Sequence, residues 1–242
     1  MIVNKIYGTK PVLAHAPGRL PYIPLWKDVT DFAREYKVKT KLPEEVSVVT
    51  FNNENPGCTI TGKKLGALEA CLDRSEVPYT VLGRDEKEWK NRKKITLLRD
   101  HLETVGSKYV IVADSSDVFL VGKFEGVVES FLGFGCDAVF NGEKSLWPLD
   151  QAEHLVKFEK GLHPTKFFNA GLWIAKTDFA KELVEFCDGV QPETKYVNSE
   201  QARYKYAYHH FYPKIRVDFG CRIFQDLNRT GHDEVGFVKL IV

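Results

Sequence analysis

The sequence predicts an α/β fold, a mostly parallel sheet flanked by helices, on two observations. Short β-branched apolar runs alternate with segments whose apolar residues recur at helical spacing. The strongest of those runs, Lys108–Ala113 (KYVIVA), leads directly into two carboxylates, Asp114 and Asp117. In open α/β sheets ligands sit outside the carboxyl ends of the strands.

The elements follow in order. Pro17 to Pro24 holds three of the eleven prolines and reads as loop, and Trp26–Tyr36 as a short helix. Val46–Phe51 (VSVVTF) is short, apolar and β-branched, as a buried strand should be. Thr61–Ser75 carries Leu65, Leu68 and Leu72 at helical spacing, and Tyr79–Leu82 is a second strand. Trp89–Val105 is a second helix, with Ile95, Leu98 and Leu102 on one face. After KYVIVA come a helix at Val127–Leu132 and strands at Asp137–Phe140 and Ala170–Ala175. Phe179–Cys187 and Ser199–His209 read as helices, Ile215–Asp218 and Val235–Val242 as late strands. The alternation argues for helices on both faces of the sheet.

Composition excludes several classes. The 242 residues include 34 Lys or Arg and 33 Asp or Glu, a net charge of +1, and 43% are hydrophobic. Such a chain is too apolar and too balanced to be disordered. It lacks the unbroken apolar run of about 18 residues that a membrane helix needs, and the first residues have no signal-peptide core. Near-zero charge disfavours a general nucleic-acid or membrane binder. The five cysteines (Cys58, Cys71, Cys136, Cys187, Cys221) are odd in number and form no CxxC. A reduced, cytoplasmic protein without membrane attachment is expected.

Asp114-Ser115-Ser116-Asp117 invites two readings. Carboxylates three apart at a strand end repel unless a cation lies between them, and hard oxygen ligands suit Mg²⁺ or Mn²⁺. Asp and Ser also dominate ordinary turns and helix caps.

Several stretches together resemble one family. VIVADSSDVFLVG resembles the strand and DxxD element of GT-A glycosyltransferases, and in particular the glycosyltransferase domain of the procollagen lysyl hydroxylases. Phe140–Pro148 (FNGEKSLWP) resembles that family's F-S-A-E…W-P segment, and Lys166–Lys176 (KFFNAGLWIAK) its R-F-L-N-S-G-G-F-I-G stretch. Asp218–Val235 (DFGCRIFQDLNRTGHDEV) resembles L-D-H-x-x-R-I-F-Q-N-L…D-E-V, the most specific match. In the family an H-G-N-G-P loop with a metal-binding His follows. Here the N-terminal IYGTKPVLAHAPGRLPYIP resembles that region, with His15 at the His and Gly18 at the second glycine. The resemblance implies one circularly permuted GT-A domain over 1–242. Residues 1–43 are then the displaced C-terminal family elements, and 44–242 the nucleotide-sugar core and acceptor half.

The resemblance implies a transferase that moves glucose or galactose from a UDP-sugar, with Mn²⁺ or Mg²⁺ held by Asp114, Asp117 and His15. Thr50, Trp89, Lys94, Ser116, Gly18 and Trp147 are expected on the donor, with Trp89 stacking on uracil and Lys94 pairing with the diphosphate. Glu143, Asn169 and Glu200 are the expected catalytic set, and Gly171 a close approach of backbone to sugar. The family's acidic run is thinned here to Asn198-Ser199-Glu200-Gln201, in which only Glu200 keeps a carboxylate. Asp218, Arg222 and Gln225 are as consistent with a structural role as with a catalytic one. The acceptor hydroxyl stays open between a protein side chain such as hydroxylysine, a glycan and a hydroxymethylated DNA base. A non-catalytic nucleotide-sugar-binding module is the competing class, and the oligomeric state, homodimer included, stays open.

Overall fold

The structure, a computed structural model, describes residues 1–55, 64–148 and 163–238. In chain order the strands are β1 (Ile2–Asn4), β2 (Leu13–His15), β3 (Val46–Phe51), β4 (Thr80–Leu82), β5 (Tyr109–Asp114) and β6 (Val118–Leu120). They continue with β7 (Ala138–Glu143), β8 (Phe167–Lys176), β9 (Ile215–Asp218), β10 (Phe224–Asp226) and β11 (Val235–Phe237). The helices are α1 (Trp26–Glu35), α2 (Ala67–Arg74), α3 (Lys93–Leu102), α4 (Val127–Leu132), α5 (Thr177–Gly189) and α6 (Glu200–Phe211).

Six strands form the main sheet in the order β4-β3-β5-β8-β7-β9. The β3–β4, β3–β5 and β7–β9 pairs are parallel, whereas β8 is antiparallel to both its neighbours. Side chains alternate across the pleat and divide the interior into two cores. On one face Val48, Ile111, Val139 and Ile174 pack with Phe32, Leu72 and Phe131 of α1, α2 and α4. On the other Val49, Val112, Phe140 and Trp173 pack with Leu98, Leu183 and Tyr204 of α3, α5 and α6.

Two irregularities make the site. The β7–β8 ladder slips after Phe140, from Phe140↔Trp173 to Asn141↔Asn169, so Gly171 lies in a bulge beside the end of β5. Bulges re-aim side chains next to active sites. Separately, β2 runs between β10 and β6, pairing His15 with Asp226 on one side and with Val118 on the other. That three-stranded sheet delivers residue 15 to the turn after β5.

Most elements match the expectation, with corrections at the margins. The helix expected over Thr61–Ser75 begins at Ala67, because Gly66 packs against Ser115 and forms the N-cap; Leu65 is exposed, and 61–63 lie outside the described residues. The helix expected from Trp89 begins at Lys93, since the Trp89 ring is drawn over Gly83. β7 and β8 run longer than expected and β11 ends at Phe237, with 239–242 outside the described residues. β1, β2, β6 and β10, three residues each, were not expected as strands. Cys71, Cys136, Cys187 and Cys221 are free and buried; Cys58 lies outside the described residues. Among the described residues no helix is long and apolar enough to cross a membrane.

Candidate active site

The carboxyl end of β5 carries Asp114, and the turn that follows brings Asp117 back to the same point. His15, Asp114 and Asp117 each offer one ligand atom, and these atoms all lie within 4.8 Å of one another. His15 Nε2 is 3.6 Å from Asp117 Oδ1. The imidazole is buried, which by itself disfavours its charged form, but Asp117, Asp114 and Asp226 outweigh burial and hold its pKa up at about 9. Burial pushes the Asp114 carboxyl up, against the pull of Lys94. Gly171 makes the approach possible: a Cβ there would lie 2.4 Å from His15 Cε1 and 2.8 Å from Asp114 Oδ2. The backbone at Gly171 thus lies against the imidazole and a carboxylate of the triad. Asn141 Nδ2 is 3.5 Å from His15 Nδ1, while its buried Oδ1 has no partner among the described residues. One imidazole and two carboxylates within bridging distance are a donor set that fits Mn²⁺ or Mg²⁺.

A cavity of about 220 Å³ opens beside the triad, lined by Phe51, Asn52, Asn53, Trp89, Asn91, Lys94 and the Asp114–Asp117 turn. Trp89, Lys94 and Ser116, expected on the donor, line this cavity. Thr50 does not: it is fully buried and its hydroxyl donates to Ala113 O at 2.8 Å, bridging two strands. The polar wall comes instead from Asn52 and Asn53, which sequence reasoning missed. Glu69, fully buried on the first turn of α2, accepts from Ser115 Oγ and Asn52 Nδ2 at 2.5 Å, from Gly66 N at 3.2 Å and from Arg84 Nη2 at 3.0 Å. It ties the acidic turn to the cavity wall, and no motif announced it.

Lys94 lies in the first turn of α3 and Glu200 opens α6. The Lys94 ammonium donates to Asp114 Oδ1 at 2.7 Å and to Glu200 Oε1 at 2.8 Å, which raises its pKa despite burial. Elsewhere in the basic segment Arg84 pairs with Glu54 and Glu69, and Lys93 with Glu86.

A second polar cluster lies across β8. Glu143 accepts from Gln201 Nε2 at 2.9 Å, and burial pushes its pKa up to about 7. Burial lowers the Lys205 ammonium to about 8, and Lys205 donates to the Trp147 carbonyl, as does Gln201 at 2.8 Å. Asn169 acts against that upward push on Glu143, and its Oδ1 accepts from Gly171 N at 2.9 Å. The Trp147 ring is 47% exposed and meets Tyr196 edge-on. Gln201 and Lys205 were missed, because buried polar groups look in sequence like surface ones. Gly18 is explained locally: φ is +99° and a Cβ would meet Asn228 Nδ2 at 3.2 Å. It does not line the cavity beside the triad. Asp218 accepts from the amides of Arg222, Ile223 and Phe224, and Gln225 accepts from Asn4 Nδ2, which are structural roles.

Asp226 is a further buried carboxyl beside His15, accepting from Asn228 N at 3.1 Å and Lys144 N at 3.3 Å. Burial, then Glu143, pushes its pKa up from 3.8 to about 8. Between those values the folded protein keeps a proton that the unfolded chain releases, so stability falls as pH rises across the window. Asp226→Asn keeps the shape without the titration. In EDTA the Tm advantage of the variant over wild type is expected to widen steadily as pH rises from 5 to 8.5. A variant less stable at pH 8.5 would show that the ionised carboxylate is the stabilising form.

No curated protein matches the chain. The family model of the PLOD GT domain matches residues 61–238, a span that includes Asp114, Asp117, Glu143, Asn169 and Glu200, with His15 ahead of it. With well over half of its length matched, the chain belongs to the PLOD glycosyltransferase-domain family, and that membership implies glycosyltransferase activity.

Proposed function

We propose that the protein is a metal-dependent glycosyltransferase that moves a hexose, glucose or galactose, from a UDP-sugar to a hydroxyl acceptor. The observation that carries this reading is the convergence of His15, Asp114 and Asp117 on one point beside the cavity. When bound there, Mn²⁺ or Mg²⁺ supplies Lewis-acid neutralisation of the charge on a leaving diphosphate. The chain's own residues do the rest. Trp89 offers a face to uracil, Asn52 and Asn53 offer amides to base and ribose, and Ser116 offers a hydroxyl. Lys94 presents an ammonium that Asp114 and Glu200 hold at the cavity wall. Glu143, its pKa near 7, is suited to take the proton of the acceptor hydroxyl. Glu200 is committed to Lys94, and Asn169 orients Glu143. Trp147, exposed at the rim, is a platform for sugar.

Two observations support a circular permutation. His15 precedes a family match that begins at residue 61. β1 pairs with β11, so the first strand and the last described strand are hydrogen-bonded neighbours, an arrangement in which permutation is tolerated.

The test is UDP release from UDP-glucose, UDP-galactose and their N-acetyl forms with added Mn²⁺. Release from one sugar, lost in EDTA, would establish the activity and name the donor. Tight UDP binding without release would indicate a binding module, and absence of both would refute the reading. His15→Ala is expected to weaken UDP–Mn²⁺ binding by about 100-fold or more, since even outer-shell partners of metal ligands are worth 10–100-fold. Unchanged binding in calorimetry would remove His15 from the ligand set.

A further inference from the structure

His15 presents its two ring nitrogens to different neighbours. Nε2 lies on the side of the carboxylates, 3.6 Å from Asp117 Oδ1. A Cβ on Gly171 would meet Nε2 at 2.9 Å and Asp114 Oδ2 at 2.8 Å, so the two atoms flank the same point. Nδ1 faces Asn141 instead, at 3.5 Å from its Nδ2. Asn141 stands on β7 where the ladder to β8 slips, opposite Asn169. It is fully buried, and its Oδ1 has no hydrogen-bond partner among the described residues. Buried polar atoms are nearly always paired, so an orphan asks for an explanation.

The chemistry of the ring supplies one. A neutral imidazole that gives the lone pair of Nε2 to a metal carries its hydrogen on Nδ1. Nδ1 is then a donor and needs an acceptor. Metal-ligating histidines almost always donate that hydrogen to a carboxylate, a carbonyl or water, which fixes the ring and strengthens it as a ligand. The Asp226 carboxyl, also beside the ring, is taken up by the amides of Asn228 and Lys144. The Asn141 amide holds an acceptor, but its nitrogen is the atom turned to Nδ1. Oxygen and nitrogen of an amide are alike in size, so a half-turn about Cβ–Cγ exchanges them in the same space. Oδ1 then receives the ring hydrogen and is no longer an orphan.

We propose that Asn141 is a positioning residue for the metal centre: its amide oxygen accepts the Nδ1 hydrogen of His15 and holds Nε2 toward Asp114 and Asp117. The inference rests on the metal-binding reading given above and adds a residue to it.

Mn²⁺ titration of the full chain, with free Mn²⁺ read by electron paramagnetic resonance, tests it on two variants. Asn141→Leu keeps the shape and removes the acceptor, and is expected to bind Mn²⁺ about 10–100-fold more weakly. Asn141→Asp offers an oxygen to Nδ1 whichever way it turns, and is expected to keep wild-type affinity. A residue that only filled space would give the reverse order, because leucine packs in a buried position and a carboxylate does not. Wild-type affinity in Asn141→Leu would overturn the proposal, as would an equal loss in both variants. Absence of Mn²⁺ binding by the wild type would overturn the metal reading itself, and this inference with it. Should the variants fail to fold, NMR of the wild-type chain with labelled histidine nitrogens and saturating Mg²⁺ reads the contact directly. The His15 ring hydrogen, assigned by its absence from His15→Ala, is expected on Nδ1 and shifted downfield by its acceptor. A ring hydrogen on Nε2, or one on Nδ1 without that shift, would overturn the assignment of Asn141.

Discussion

Asp117→Ala is expected to lower Mn²⁺-dependent UDP release by about 10³-fold or more while leaving the fold intact. Lewis-acid stabilisation is worth several kcal/mol, and each 1.36 kcal/mol is tenfold in rate. The side chain is 15% exposed, and its backbone carbonyl, which accepts from Ala16 N at 2.9 Å, survives the substitution. The seat of β2 is therefore kept. Without metal two effects oppose each other: His15 loses an attractive partner, and Asp114 loses a repulsive one. The Tm in EDTA should then move by only a few degrees. Wild-type turnover in the variant would take Asp117 out of the mechanism.

Gly171→Ala should be nearly as damaging, and by a different route. The added methyl would overlap the His15 ring and an Asp114 oxygen at once. Gly171 lies within β8, between β5 and β7, where the backbone has little room to retreat. Overpacking a well-packed interior costs about 1–3 kcal/mol, against about 5–15 kcal/mol for a typical domain, so the variant should fold. Its two displaced ligands should cost at least 100-fold in Mn²⁺ affinity, read by electron paramagnetic resonance of free Mn²⁺. Undiminished affinity would mean that the metal is held elsewhere.

These expectations rest on residues of unequal legibility in the sequence. β3, α4 and β9 have the boundaries their apolar patterns predict, because each pattern is local. Asp114 and Asp117 were legible because they follow the clearest strand. His15 was legible only through the resemblance of its flanking stretch, since its neighbours in space lie about a hundred residues away or more. The Thr50 hydroxyl turns into the sheet, because a strand-end position does not say where a hydroxyl points; two residues on, Asn52 reaches the cavity. Lys94 was recognisable as a site cation, but its partners Asp114 and Glu200 were not, one of them 106 residues distant. Asn141, Lys205 and Asp226 read as ordinary polar positions, and only the fold surrounds them with other buried polar groups.

The position of β2 between β10 and β6 has a kinetic consequence. Pro17, two residues past His15, is bonded to Asn228, 211 residues further along the chain. Contacts of such span form slowly in folding, whereas β3, β4 and β5 are joined through helices close in sequence. On the ribosome Asp114 and Asp117 emerge long before the strand that flanks the imidazole on its other side. A partial chain can offer a metal two carboxylates but no seated third ligand. On the proposed metal-binding reading, tight capture of an ion would wait for the whole domain, and metal affinity would become a readout of completed folding.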